Sequence, residues 1–292
     1  MKNQLRTKKS ALCVLTAGML WGCMGILVRT MNGGGFDSLE ITAFRALVTA
    51  IVMFAGMALF KRKELKVKWK DLWCFAGTGI LSVAFFNVCY FTCMNHATLS
   101  VAAILLYTAP SFVIIFSFFL FKEKIGRRKL IALALAFAGC VLVSGGLGGV
   151  SISVIGLLTG LGAGLGYALY SIFGKFAIQR EYSSYTITTY TFLFALVGTV
   201  PLLDLKHFTA CIASADAKAL LFDVALTFLT TVAAYLFYTA GLRGMENGRA
   251  SIIASIEPVM ASLVGFFLYK EAFTVTGLLG MFLVLASCIL VA

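Results

Sequence analysis

Ten apolar runs, each long enough to cross a bilayer, dominate this chain of 292 residues. A membrane-spanning helix needs about 20 predominantly apolar residues. Charged residues make up 12% of the chain, roughly half of the ~25% found in soluble domains. The runs lack the ten-residue alternation of barrel strands, so the sequence predicts an all-α polytopic membrane protein with ten transmembrane helices. The runs are 11–30, 39–60, 71–94, 98–121, 128–145, 153–175, 183–203, 218–241, 249–269 and 273–291.

The basic residues indicate which way the runs cross the bilayer. Nineteen of the 24 Lys and Arg residues lie in residues 1–10 or at the links that follow runs two, four, six and eight. Cytoplasmic links carry the excess of Lys and Arg in membrane proteins. We therefore predict a multi-pass protein of the cell (plasma) membrane, with 1–10 as a cytoplasmic N-terminal segment and the C-terminus also cytoplasmic.

An internal repeat divides the ten runs into two sets of five. A shift of 148 residues lays Pro110 and Lys122–Glu123 on Pro258 and Lys270–Glu271, and a shift of 146 lays run one on run six. Because five is odd, the second set enters from the opposite face and is inverted. We predict two inverted five-helix repeats, with one Lys-Glu pair at each face. The repeats span 11–145 and 153–292, joined by a Gly-rich linker at 146–152.

Four short motifs follow one another along the chain, the last two at matched offsets in the two repeats. They are Leu20-Trp21-Gly22, Phe44-Arg45, Tyr107-Thr108-Ala109-Pro110 running to Phe121-Lys122-Glu123, and Ile256-Glu257-Pro258-Val259 running to Tyr269-Lys270-Glu271. In this order the chain resembles the EamA-type members of the drug/metabolite transporter superfamily from about 11 to 291. The second repeat has Tyr167 where the first has Trp21 and Thr191 where the first has Arg45, so the two halves have diverged.

The resemblance implies a secondary carrier for small organic solutes such as amino acids, metabolites or toxic compounds, commonly moved outward. It also implies a central cavity between the halves, lined by the first four helices of each repeat, with the fifth and tenth helices at the periphery. Transport would then proceed by alternating access around a site at the bilayer midplane.

Glu257 is the sharpest candidate for a functional side chain. It lies within run nine, ~10 Å from the predicted cytoplasmic end at 1.5 Å per residue. A carboxylate in lipid costs roughly 2.5–3.5 kcal/mol on insertion scales, so we expect it to face a cavity or a partner. It would bind a cationic group or take up a coupling proton, or it is a structural carboxylate bonded to backbone that Pro258 leaves free. Its repeat mate is Ala109.

Arg45 lies at a similar depth from the external end of run two. A guanidinium offers a bidentate fork to a solute carboxylate or phosphate. The alternative is a structural arginine bonded to helix-end carbonyls or to Glu40, five residues away. Pro110 and Pro258 each remove a helical hydrogen bond. Their matched positions favour hinges beside the cavity, although prolines are also tolerated in ordinary membrane helices.

Aromatic and polar side chains on the same runs are further candidates for solute binding. Trp21 and Tyr167 lie too deep for an interfacial belt and would suit amphipathic or cationic solutes as cavity walls; simple helix packing is the alternative. A second group carries polar tips whose alternative role is helix-to-helix hydrogen bonding. It consists of Asn87, Tyr90, Tyr107, Tyr235 and Tyr238.

Several function classes lack the residues that they need. Seven of the eight cysteines lie inside apolar runs, and neither His96 nor His207 has the partner spacing of a metal site, so we expect no metal and no cofactor. The basic links are read as topology signals rather than as a nucleic-acid surface. A membrane-embedded enzyme and a channel or receptor without transport activity remain the alternatives. We predict that the partners are a small-molecule solute and membrane lipid, and that the monomer functions alone, with a homodimer as the alternative.

Overall fold

The computed structural model describes residues 2–145 and 153–292, and these residues form helices and links without a strand. The predicted linker at 146–152 lies outside the described residues. Ten helices coincide with the ten predicted runs. They are α1 Thr7–Gly33, α2 Ser38–Phe60, α3 Trp69–His96, α4 Leu99–Phe121, α5 Arg127–Val143, α6 Val154–Gln179, α7 Ser184–Leu202, α8 Ala217–Leu242, α9 Asn247–Tyr269 and α10 Val275–Val291.

Eight of these helices are long and apolar enough to cross a membrane. The other two, α5 and α10, have 17 residues each. At 1.5 Å per residue they reach about 25 Å, less than the ~30 Å of a typical hydrocarbon core. The chain is therefore an all-helical polytopic membrane protein, and the count of ten spans stays a prediction.

Side chains just before the helices satisfy backbone N–H groups that have no partner within the helix. Asp37 accepts from the Glu40 backbone N–H, and the Glu40 carboxylate accepts from the Asp37 backbone N–H, each at 2.8 Å. This reciprocal capping box defines the start of α2. Ser153 and Ser183 cap α6 and α7 in a similar way.

The long helices are interrupted near the middle of the fold. α4 breaks at Tyr107–Thr108 and α9 at Ser255–Ile256, and new helical segments begin at Ala109 and Glu257. Pro110 and Pro258 occupy the first turn of those segments, where a missing N–H costs no hydrogen bond. Each helix therefore breaks just before its proline, and the proline does not remove a hydrogen bond from within a continuous helix as the sequence suggested; the hinge role of Pro110 and Pro258 stays a prediction. α3 and α8 instead contain π-helical segments, Gly77–Ala84 and Phe228–Ala233.

Glycines let the helices approach each other closely. A Cβ on Gly22 would lie 2.6 Å from the Glu257 carbonyl oxygen, so α1 packs directly on the broken part of α9. A Cβ on Gly166 would lie 3.0 Å from the Phe86 backbone, so α6 packs closely against α3 at this point. α5 and α10 meet in the same way at Gly139 and Gly280.

A short helix, Leu205–Ser214, lies between α7 and α8. It holds His207, and His96 is the last residue of α3. The short helix buries Phe208 and Cys211 against Met31, Phe36 and Phe44 near the α1–α2 link. This packing fixes the short helix beside the start of α2.

Candidate functional site

A cavity of about 210 Å³ lies between the helices in the middle of the fold. Its walls come from α1, α2, α3, α4, α6, α8 and α9, whereas α5, α7 and α10 add no described residue to the lining. The resemblance implied walls from the first four helices of each repeat, so the lack of an α7 residue departs from that expectation. The lining consists of Trp21, Met24, Val28, Ser38, Ile41, Thr42, Arg45, Phe86, Asn87, Tyr90, Phe91, Leu106, Tyr167, Tyr235 and Glu257.

The cavity brings together seven of the nine candidate binding residues. They are Trp21, Arg45, Asn87, Tyr90, Tyr167, Tyr235 and Glu257. Tyr107 and Pro110 instead line a much smaller cavity of about 10 Å³, which shares Tyr167 and Glu257 with the main one. Tyr238 lies outside the lining, and 2% of its surface is exposed. Pro258 also lies outside the lining and is buried.

Glu257 begins the second segment of α9 and faces the cavity, half-buried. The Tyr167 hydroxyl donates to Glu257 Oε2 at 3.3 Å. Among the described residues, this is the one side-chain hydrogen bond that the Glu257 carboxylate forms. The alternative role, a carboxylate bonded to backbone near Pro258, is therefore not what the structure displays.

Arg45 reaches the cavity from α2. Its Nε donates to Thr231 Oγ1 at 3.0 Å, on the π-helical segment of α8. Neither structural alternative from the sequence applies, because Glu40 is bonded to His207 and Asp37 instead. No recorded hydrogen bond within the described ranges involves the two terminal guanidinium nitrogens, so the fork remains available to a ligand.

The two charges on the cavity wall are of opposite sign, yet they form no ion pair with each other in the described part of the chain. Arg45 comes from α2 and Glu257 from α9, so each repeat segment supplies one charge. A buried charge needs a compensating partner or water. The cavity between them supplies the space for either water or a solute.

Polar side chains on α3 are engaged with the protein itself. Asn87 accepts from Thr42 Oγ1 at 3.0 Å and donates to the Val83 carbonyl at 2.7 Å. The helix-to-helix bond that was one of its two expected roles is thus formed, on the cavity wall. Tyr90 stacks on Phe86 with ring centroids 5.7 Å apart.

An aromatic cluster closes the inner end of the cavity. The Trp21 ring lies 5.0 Å from that of Tyr238, 5.3 Å from that of Tyr235 and 5.8 Å from that of Tyr167. The Tyr238 hydroxyl shares a 2.7 Å hydrogen bond with Ser171, and that of Tyr170 shares one of 2.7 Å with Thr239. These bonds hold the cluster between α1, α6 and α8.

Within the described part of the chain, the lining of the cavity extends towards one face of the helix bundle. Its lining extends from Trp21 and Tyr167, near the middles of α1 and α6, to Ser38, the first residue of α2. A separate depression of about 690 Å³ lies at the other face, where its lining includes Thr7, Glu123 and Lys175. Along α1, Thr7 and Trp21 are separated by ~21 Å at 1.5 Å per residue. The aromatic cluster lies between these two spaces.

A second cluster of titratable side chains lies near the outer rim of the cavity. His207 Nδ1 is 2.7 Å from Glu40 Oε1, and the Glu40 side chain is fully buried. The hydrogen bond to Glu40, followed by the attraction of its charge, raises the pKa of His207 above its usual value. Asp204 and Asp37 add smaller effects in the same direction.

Glu40, His207 and Cys211 place ligand atoms within 4.8 Å of one another, a spacing that a metal ion would accept. The sequence interpretation had found no such set, because Glu40 is 167 residues from His207. Cys211 Sγ lies 3.8 Å from both ring nitrogens, so it is not aligned with the lone pair of either. The arrangement is therefore a hydrogen-bonded pair packed against a thiol, and a metal would require the ring to turn.

Sequence reasoning missed several residues of the lining. Thr42 lies three residues before Arg45 and so shares its helix face, a signal that could have identified it. Thr231, which holds Arg45, carries no comparable signal because its position depends on how α2 and α8 pack. The apolar walls include Phe86, Phe91 and Leu106, which look like ordinary membrane-facing residues in the sequence.

The model of the EamA-like transporter family matches the chain twice, over residues 8–145 and 154–292. The chain belongs to the EamA-like transporter family. The resemblance stated from the motifs is therefore confirmed.

Other members of the EamA-like family match along nearly the whole chain. An uncharacterized transporter of Archaeoglobus fulgidus is 26% identical over 277 residues, covering 95% of this chain and 94% of the relative. The uncharacterized transporter YwfM of Bacillus subtilis is 26% identical over 284 residues, covering 97% and 93%. The uncharacterized inner membrane transporter YicL of Salmonella typhimurium is 22% identical over 296 residues, covering 98% and 96%.

A solved crystal structure has the same fold. It matches with a TM-score of 0.77 at 17% identity and covers 97% of this chain and 96% of the solved one. At that identity the match concerns the arrangement of the helices and not the chemistry of the cavity. The geometry of Arg45 and Glu257 is therefore taken from this chain itself and not from the solved structure.

Proposed function

We propose that this chain is a secondary transporter that exports small organic solutes by alternating access around the central cavity. The observation that carries the proposal is the cavity itself: among the described residues, Arg45 and Glu257 face it without pairing with each other, and its lining extends towards the Ser38 end of the bundle. Charges in a membrane protein are costly and commonly mark a solute or ion pathway. Membership of the EamA-like transporter family and the names of its relatives support transport rather than catalysis.

The shape of the space supports a carrier rather than an open channel. The aromatic cluster around Trp21 separates the cavity from the depression at the Thr7 face. A carrier needs such a barrier on one side of its site at a time. The breaks in α4 and α9 lie beside the smaller cavity next to this site and support the proposed hinges at Pro110 and Pro258.

The cavity favours a small solute with both polar and apolar parts. Its volume of about 210 Å³ is below the ~300–1,000 Å³ of typical drug-sized sites. The Arg45 fork suits a carboxylate, Glu257 suits an ammonium group, and the aromatic walls suit an apolar side chain. An amino acid or a related metabolite would use all three features, and a small amphipathic cation would use two of them.

The proposed direction of transport and its proposed energy source are consistent with the predicted topology. With residues 1–10 cytoplasmic, the Ser38 end of the cavity faces the exterior of the plasma membrane, and the depression at Thr7 faces the cytoplasm. Glu257 would then exchange protons with the external solution through the cavity. Proton uptake there would couple outward movement of the solute to inward movement of a proton.

A single copy of the chain supports the whole proposal. Both halves of the chain contribute residues to the lining of the cavity. A second copy is not needed to complete the cavity, which supports the prediction that the monomer functions alone.

The test is transport by the purified protein in proteoliposomes, with and without a pH gradient and without ATP. The panel should contain zwitterionic, cationic and anionic solutes of similar size. We expect a zwitterionic or a cationic amphipathic solute to move faster than in protein-free liposomes. If no solute in the panel moves faster than in protein-free liposomes, the proposal is wrong.

A further inference from the structure

The end of the protein that holds Thr7 is closed by a contact between the two repeats. Glu123 follows α4, and its carboxylate receives hydrogen bonds from the first two N–H groups of α9. Oε1 accepts from Asn247 at 2.7 Å, and Oε2 accepts from Gly248 at 3.2 Å. A carboxylate at a helix N-terminus is favoured by the free N–H groups and by the helix dipole. Glu123 therefore acts as the N-terminal cap of a helix in the other repeat.

Neighbouring side chains reinforce this contact. Lys129 Nζ lies 3.5 Å from Glu123 Oε2 and 2.9 Å from Glu246 Oε2, and Lys129 is almost fully buried. A Cβ added to Gly248 would lie 2.9 Å from Ile114 Cγ1, so the start of α9 fits closely against α4. The closed end thus combines helix capping, charge pairing and close packing.

Glu271 is the repeat mate of Glu123 and occupies the same local position at the end of α9. The preceding lysines share a left-handed backbone conformation, with φ of 56° at both Lys122 and Lys270. The Glu123 N–H donates to the Ser117 carbonyl at 3.2 Å, and the Glu271 N–H donates to the Gly265 carbonyl at 3.1 Å. The chain therefore presents both carboxylates in the same way, one at each face.

The second carboxylate is not docked in this conformation. By the 148-residue shift, its targets would be the N–H groups of Leu99 and Ser100 at the start of α4, and within the described ranges neither has a recorded acceptor. Glu271 instead pairs with Arg29 at 2.7 Å, with both side chains about half exposed. Exposed ion pairs contribute little to stability, so Glu271 can leave Arg29 at small cost.

The two faces differ in whether their glutamate caps a helix and in whether the cavity extends towards them. The lining of the cavity extends towards the face where Glu271 is undocked, whereas Glu123 is docked at the face of the separate depression. We propose that Glu123 and Glu271 are paired latches: Glu123 caps α9 while the cavity faces the Ser38 end, and Glu271 caps α4 while it faces the Thr7 end. This inference rests on the alternating access put forward above and assigns the residues that hold each conformation closed.

Hydrogen exchange resolved to single amides tests the latches without requiring a known solute. In the unmodified protein we expect the Asn247 and Gly248 amides to be protected and the Leu99 and Ser100 amides to exchange faster. Glu123→Gln should speed exchange at Asn247 and Gly248 by about fivefold, the effect of losing a good helix cap. The same substitution should slow exchange at Leu99 and Ser100, because the population shifts to the conformation in which Glu271 docks.

Two further variants separate a latch from a simple cap. In the double variant with Glu271→Gln, the slowing at Leu99 and Ser100 should disappear. Gly248→Ala leaves both carboxylates in place and forces α9 away from Ile114, so it should produce the same reciprocal change as Glu123→Gln. Glu181→Gln removes one exposed carboxylate elsewhere and should change neither pair of amides.

Each of the variants Glu123→Gln and Gly248→Ala is expected to change amide exchange at both helix starts. If in both variants exchange changes at Asn247 and Gly248 and stays the same at Leu99 and Ser100, the latch proposal is wrong. Slowing at Leu99 and Ser100 that persists without the Glu271 carboxylate would also overturn it. Failure of the transport proposal gives a different outcome. Hydrogen exchange at the two pairs of amides would then still change in opposite directions, but the protein would move no solute. Transport without reciprocal exchange would leave the carrier intact and remove the latches.

Discussion

The Tyr167 hydroxyl donates a hydrogen bond of 3.3 Å to Glu257 Oε2 and so joins α6 to α9 at the inner end of the cavity. Both residues lie beside the aromatic cluster that shuts the cavity off from the opposite face. A change in the protonation of Glu257 would alter this bond directly. The contact therefore links the charge state of Glu257 to helices that would move in the proposed alternating access.

Glu257→Gln should abolish transport driven by a pH gradient while solute exchange continues, because glutamine fits the space but cannot take up a proton. Initial rates in proteoliposomes, with and without the gradient, measure this. Tyr167→Phe keeps the carboxylate but removes its hydrogen bond to α6, so it should weaken gradient-driven transport without abolishing it. Unchanged gradient-driven transport in Glu257→Gln would remove Glu257 from the coupling role.

Arg45→Gln should weaken binding of a solute that carries a carboxylate by about 10- to 100-fold, the loss of one or two hydrogen bonds to a charged group. The measurement is the dissociation constant of a transported solute and of its amide analogue, which lacks the negative charge. Thr231→Val removes only the bond to Arg45 Nε and should have a smaller effect. An equal loss for the solute and its amide would show that Arg45 is structural.

Gly22→Ala should destabilise the protein by about 1–3 kcal/mol, the usual range for overpacking. The added Cβ would lie 2.6 Å from both the Glu257 carbonyl oxygen and Met260 Cβ. Gly25 is on the same helix, and a Cβ there meets nothing within 4 Å. Thermal unfolding in detergent should therefore show a lower Tm for Gly22→Ala than for Gly25→Ala, and equal values would contradict the close approach of α1 to α9.

His207 should make the attachment of the short helix Leu205–Ser214 depend on pH. Its pKa is raised by Glu40, so its stabilising effect is fully present below the unfolded value of about 6.5 and is lost as pH rises through the higher folded value. The Tm difference between the unmodified protein and His207→Gln should therefore be larger at pH 5.5 than at pH 8.5. A difference independent of pH would exclude the charged His207–Glu40 pair.

Some features of the cavity follow from the sequence because single residues carry a strong physical constraint. Arg45 and Glu257 interrupt apolar runs, and a charge inside a bilayer has to face water or a partner. The matched prolines likewise identified the two interrupted helices, although each break precedes its proline, which is tolerated in the first turn of the new segment. The mid-helix positions of Trp21 and Tyr167 also pointed to the interior.

Other features depend on contacts between distant segments. Tyr235 and Tyr238 are three residues apart and were expected on one cavity face, but Ser171 on α6 binds the Tyr238 hydroxyl away from the lining. Glu40 was considered as a partner for Arg45 because it is five residues away, yet a histidine 167 positions later pairs with it. Sequence proximity along one helix does not reveal which neighbouring helix supplies the better partner.

Counterflow in proteoliposomes tests the central claim most directly, namely that the cavity carries solute by alternating access. Liposomes containing the protein are preloaded with an unlabelled zwitterionic or cationic solute and diluted into a trace of the same solute in labelled form. The account predicts transient accumulation of label above its external concentration, because the loaded carrier reorients in both directions. Uptake that never exceeds the external concentration and does not respond to preloading would contradict a carrier mechanism.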